Sequence, residues 1–351
     1  MYNKNDARMT QGFAILCMLC LHLFCREAPD LPGKALIWLN STTPLLCWIG
    51  FFSEICVPLY SMTAGYAYML LYDEGKQTWN LRWRRAFKLI RNYWIILVVF
   101  VIAGILMKSQ RIPGSFVDLI GNITLLSVKS YNGTWLFLKT YLIIMLLPPI
   151  LASWVPSRLR FVPGILFCFS LDVIRYVVFR FGILSEETMI PYPINFLYIQ
   201  FLNLWHVLPF FWIGGLLYKN NTFSYVNSRI PWLGVRRKVI LLLLFVLIFV
   251  STNIIHKAVL MGFVAMLTFL IFNLWEKGRI AKNVFSFLGE HSTNIWLSHM
   301  FFVSILFGDY IAKINYGVLV LFTVLLFCLV TSYVEKGVFH LCSLIREKVV
   351  R

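Results

Sequence analysis

An all-α integral membrane protein, a bundle of about ten transmembrane helices, is the fold class this sequence predicts, on three observations. Of 351 residues, 60% are hydrophobic and only 13% charged, with a mean hydropathy of +0.76, far from the balance of a soluble domain. Apolar runs of roughly 20 residues, the length that crosses a hydrocarbon core of about 30 Å, follow one another almost end to end. Lysine and arginine gather in alternate connections, as the positive-inside rule requires.

Taken in order, the apolar windows are 11–26, 46–71, 89–107, 134–153, 161–180, 197–218, 239–255, 258–275, 293–312 and 316–341. The seventh and eighth are divided only by "STNIIHKA". Joining them would leave the termini on opposite sides, so charge is the test. With ten spans and a cytoplasmic N-terminus, the outer connections carry only Arg26, Lys34, Lys108, Arg111, Lys129, Arg180, Lys257 and Lys313. Apart from Lys139 and Arg175 inside spans, every other lysine and arginine falls inside. Ten spans with both termini cytoplasmic is therefore the expected topology.

The net charge of +17 is accounted for by basic loops beside anionic headgroups, so the bilayer and no nucleic acid is the expected partner. No small-residue cleavage site follows the first run before "REAPDLPG", which reads as a retained helix. Cys17 and Cys20 have no second pair or nearby histidine at zinc spacing, so packing roles and no metal are expected. Short connections and no appended soluble segment make residues 1–351 one polytopic domain. The longest inner connections, 73–91 and 219–238, are basic and aromatic. Each reads either as a segment anchored at headgroup level or as a cradle for a polyanionic ligand, in which Arg and Lys neutralise phosphates.

Ionisable side chains inside a bilayer cost a few kcal/mol on insertion scales and so call for a partner or a task. Here they are His22, Glu54, Lys139, Asp172, Arg175, His206 and His299. Asp172 and Arg175 lie three apart on one helical face and can pair; Glu54 and Lys139 can pair across helices. Most of these positions fall in the outer half of the expected membrane, as a polar cavity opening outward requires. His206 reads as a histidine bonded to neighbouring backbone or as a cavity residue.

Several motifs then point one way: "QGFAILCMLCLHLF", "CVPLYSMTAGY", "RWRRAFKLIRNYW", "NGTWLFLKTYL" and "LGEHSTNIWLSHMFF". In this order, over nearly the whole chain, they resemble the membrane-bound acyltransferase 3 family, whose members acylate envelope polysaccharides and related acceptors. The family opens with a basic residue eleven positions before a histidine. Here Gln11 holds that position before His22, and Ala64 precedes Gly65 where the family has serine. Glutamine donates hydrogen bonds but neutralises no phosphate; Arg8, three residues earlier on the same face, can supply the charge.

The resemblance implies a cell-membrane O-acetyltransferase moving acetyl from cytoplasmic acetyl-CoA to a hydroxyl of an envelope polysaccharide or its lipid-linked precursor. Eleven helical residues rise about 16 Å, comparable with a pantetheine arm. His22 would act as general base, or would carry the acyl group in a two-step route. Arg8, Gln11, Arg84, Arg85 and Arg91 would hold the donor. Glu54, Trp135, Lys139, Asp172, Arg175, His206 and His299 would wall the acceptor cavity. Intramembrane charge and an outward cavity suit a glycan transporter or flippase equally, and partner glycan-assembly proteins fit either activity.

Overall fold

The computed structural model describes residues 2–181, 194–229, 236–255 and 258–350, with side chains through Leu341. His256 and Lys257, in the expected seventh divider, and 230–235, in the second basic connection, lie outside the described residues. The fold is all-helical, with 81% helix and no strand among the described residues. In chain order the helices are α1 Lys4–Phe24, α2 Leu45–Phe52, α3 Cys56–Asp73, α4 Trp79–Leu106, α5 Phe116–Ile123, α6 Leu136–Leu146, α7 Pro149–Ala152, α8 Trp154–Arg158 and α9 Phe161–Arg180. After these come α10 Ile194–Lys219, α11 Thr222–Arg229, α12 Arg236–Ile255, α13 Met261–Leu274, α14 Arg279–Met300, α15 Gly308–Ile311 and α16 Gly317–Val350.

Seven helical stretches among the described residues are long and apolar enough to cross a membrane: 4–24, 45–73, 79–106, 161–180, 194–219, 236–255 and 317–341. Two shorter apolar stretches, 133–146 and 258–274, fall at expected spans. The 134–153 window breaks because Pro148 and Pro149 end α6. The expected 293–312 span is instead the second half of α14, which starts at Arg279 and passes after Met300 into a π-helical turn, Phe301–Ile305. The basic stretch 73–91 is mostly not a connection. Helix α4 begins at Trp79, because "WNLRWRRAFKLIR" holds strong helix formers and neither Gly nor Pro.

The described chain forms two compact units, Met1–Cys17 with Phe52–Trp83 and Thr140–Gly289, and Met18–Phe51 with Arg84–Lys139 and Glu290–Arg351. In the first, α3 and α10 pack backbone to backbone. A Cβ on Gly65 would overlap the Phe211 carbonyl, and one on Gly214 the Met62 carbonyl. The glycine of "TAGY" is thus a small-residue helix crossing, the usual device where lipid gives no hydrophobic drive for association. Beside it Tyr2 is buried among Tyr66, Phe223 and Phe269, stacked on Phe223 at 5.2 Å. Arg82, also buried, donates to the carbonyls of Met145 and Leu146 at 3.1 and 2.6 Å and so caps α6.

In the second unit, Phe100 stacks on Phe301 with ring centroids 3.9 Å apart. Residues 25–44 form an ordered loop between α1 and α2. Lys34 exchanges backbone hydrogen bonds with Asn315 and Gly317 at 2.7 and 3.1 Å, and the loop closes on itself through Leu39 to Thr43 and Leu45 to Ile37, both at 3.0 Å.

Candidate active site

Helices α1 and α14 carry the two histidines that the sequence singled out. In the first unit they touch without intervening side chains: a Cβ on Gly12 would overlap the carbonyl of Phe285, and one on Gly289 the carbonyl of Arg8. His22 lies ten positions after Gly12 and His299 ten after Gly289. In the second unit, the rings of His22 and His299 face each other with centroids 4.9 Å apart and planes tilted by 39°.

The hydrogen bonds assign the tautomer of one ring. Nδ1 of His299 lies 2.7 Å from the carbonyl oxygen of Trp296. A carbonyl only accepts, so Nδ1 carries the proton and Nε2 a lone pair. That Nε2 is buried with no hydrogen-bond partner, on a side chain of zero exposure. His22 is half-buried. The arrangement is a half-buried imidazole beside a fully buried one that offers a bare acceptor.

Trp135, which the resemblance implies as a wall of the acceptor cavity, is fully buried. Its exposure is zero. The indole N–H donates to the Leu297 carbonyl at 3.0 Å, and the ring packs edge-on against Tyr93 at 4.7 Å and against Phe301 at 5.4 Å. Trp135 thus holds the end of α14 that bears His299. Lys139 is buried, its Nζ 3.5 Å from the carbonyl of Leu126.

A second polar cluster lies on α4, α14 and α16 within the same unit. Glu335, 3% exposed, accepts a hydrogen bond from the Asn294 amide at 3.0 Å and lies 4.0 Å from the Arg91 guanidinium. Arg91 also stacks over Phe339 at 3.7 Å and donates to Asn92 at 3.1 Å, while its Nε is buried without a partner. Asn92 in turn donates to Asn294 at 3.1 Å. The Ser332 hydroxyl accepts from Asn294 at 3.0 Å and lies 2.8 Å from His291 Nδ1. Arg91, read from sequence as a phosphate contact, is thus first of all the cationic member of a buried network. Arg84 is exposed and Arg85 half-buried on the same helix; Arg84, Lys88 and Arg91 fall on one face.

The remaining expected residues belong to the first unit. Arg8 and Gln11 are half-buried on α1, and the Gln11 carbonyl accepts from the Tyr60 hydroxyl at 3.2 Å. Asp172 and Arg175 form the anticipated ion pair, 3.0 Å apart, on α9. Glu54 lies in the 3-10 turn between α2 and α3, and His206 on α10. Among the described residues no three His, Cys, Asp or Glu side chains converge to hold a metal ion.

Sequence reasoning missed Glu335, Asn294, His291 and Ser332. The signal was present: Glu335 is an acid within the last apolar run, and such a residue demands a partner.

A family model described as an acyltransferase domain matches residues 8–334, from the first turns of α1 to the residue before Glu335. No curated protein and no solved structure matches the chain. The chain belongs to the acyltransferase 3 family and is a membrane acyltransferase.

Proposed function

We propose that this protein transfers an acetyl group from acetyl-CoA to a hydroxyl of an envelope polysaccharide, or of its lipid-linked precursor, in the cell membrane. The observation that carries the reading is the pair of neighbouring imidazoles, His22 half-buried and His299 fully buried beside it with a bare Nε2. An imidazole base beside a buried acceptor able to take its N–H is an arrangement general-base acyl transfer can use. In this reading His299 Nε2 accepts an N–H from His22, leaving the other His22 nitrogen to take the acceptor's proton. The hydroxyl oxygen attacks the thioester carbonyl, the carbon–sulfur bond breaks, and CoA leaves as thiolate. Its proton comes from His22, which returns to the neutral form.

The expected donor-phosphate contacts are Arg8 and Gln11 on α1 in the first unit, and Arg84, Arg85 and Arg91 on α4 in the second. The proposed topology has ten crossings and cytoplasmic termini. To the seven long helices it adds 133–146, 258–274 and α14. Partner glycan-assembly proteins would supply the acceptor.

The test is the O-acetyl content of the envelope polysaccharide by NMR, in cells lacking the protein and complemented with wild type or His22→Ala at matched membrane abundance. Loss of one acetyl signal in both the deletion and His22→Ala is expected. Unchanged acetylation with unmodified glycan accumulating inside would overturn the transfer reading in favour of transport.

A further inference from the structure

One helical turn past His22, about 6 Å along the axis, the loop 25–44 walls a cavity of about 610 Å³. Arg26 links the two places. Its guanidinium donates to the carbonyl of His22 at 2.7 Å and to that of Asp30 at 3.4 Å, so it is held at the cavity rim by the residue that carries the proposed base. Glu27, Trp38, Ser41, Thr42, Thr43, Cys47 and Phe51 line the same cavity.

The loop is built to present these groups. The Asn40 side-chain oxygen accepts from the backbone N–H of Thr42 and Thr43 at 2.9 and 2.7 Å, an Asx turn that fixes the hydroxyl-bearing tip. At the base of the turn Trp38 and Pro44 pair across the loop. Trp38 remains 52% exposed, unlike the sealed Trp135. A second cavity of about 550 Å³ also has Trp38 in its lining and shares Ala28 and Pro29 with the first; Lys34, Lys313 and Asn315 line it too.

We infer that this double cavity is the acceptor site, and that it takes a glycan of at least two sugar units crossing Trp38, with a hydroxyl of the first unit delivered to His22. The inference rests on the transfer reading above and adds the site's place and the length of glycan it takes. The chemistry favours a saccharide over an acyl chain. An open indole packs against the apolar face of a sugar ring, while the Ser, Thr, Arg and Glu groups around it both donate and accept hydrogen bonds, as sugar hydroxyls do. Each cavity falls in the range that small-molecule sites occupy, about 300–1,000 Å³. Because Trp38 borders both cavities, a single sugar fills one and leaves the other empty.

The experiment uses the full chain in nanodiscs, with oligosaccharides cut from the alkali-deacetylated envelope polysaccharide of the deletion strain as probe. Trp38→Ala is expected to raise the KM for these oligosaccharides about three- to tenfold, to leave the KM for acetyl-CoA unchanged, and to be largely rescued by Trp38→Phe. In a His22→Ala background, saturation-transfer NMR should show the oligosaccharide bound, and the added Trp38→Ala should remove the signal. An unchanged oligosaccharide KM in Trp38→Ala, or oligosaccharide binding indifferent to it, overturns the acceptor site. Acetyl transfer that persists in His22→Ala sinks the catalytic reading instead, and the binding measurement still decides the pocket.

Discussion

Replacing Glu335 by alanine would leave the Arg91 guanidinium and the Asn294 amide without their shared carboxylate. Breaking a buried ion pair by removing one partner costs roughly 3–5 kcal/mol, because the other charge stays buried and unpaired. The value belongs at the lower end here. The separation is 4.0 Å and the Arg91 side chain keeps 27% exposure and its stacking on Phe339, so about 3 kcal/mol is expected, including the lost Asn294 bond. Glu335→Gln keeps an oxygen for Asn294 but loses the charge, and should cost about 1–2 kcal/mol. The assay is equilibrium unfolding in mixed micelles, followed by far-UV circular dichroism against SDS mole fraction. A cycle with Arg91→Met and Glu335→Leu isolates the pair, and the double variant should recover much of the loss. A Glu335→Ala variant within about 0.5 kcal/mol of wild type, with no coupling in the cycle, would refute the claim that this network ties α4, α14 and α16 together.

Two further perturbations probe other parts of the fold. Gly289→Leu should separate α1 from α14, since even a Cβ there overlaps the Arg8 carbonyl; the membrane abundance of folded protein should drop, whereas the exposed Gly278, with open space around its Cβ position, should accept alanine with little change. Burial, with nearby Lys282 acting in the same sense and Asp6 opposing, pushes the Lys277 ammonium down to about 8. The folded state therefore disfavours the proton, and the destabilising contribution is present at neutral pH and fades as pH rises from 8 toward the unfolded value near 10.4. The thermal midpoint of wild type should gain on that of Lys277→Met over this window. A constant difference between the two would show that Lys277 keeps its ordinary affinity for protons.

Composition and the spacing of apolar runs determined the all-helical membrane class, because hydrophobic length against bilayer thickness is a local quantity that any window along the chain can measure. The same holds for the pairing of Asp172 with Arg175, a relation inside one helix. Motif order pointed to the family and to His22 and His299 as separate residues. Only the tertiary structure brought those two rings within 4.9 Å of each other, buried Trp135, and left Trp38 exposed in the lining of two cavities. It also bound Arg91 to Glu335, residues more than 240 positions apart in the chain. Burial and partnership of this kind depend on which helices cross. The crossings are decided by backbone approach at Gly12, Gly65, Gly214 and Gly289, glycines whose partners lie elsewhere in the chain and leave no trace in the residues beside them.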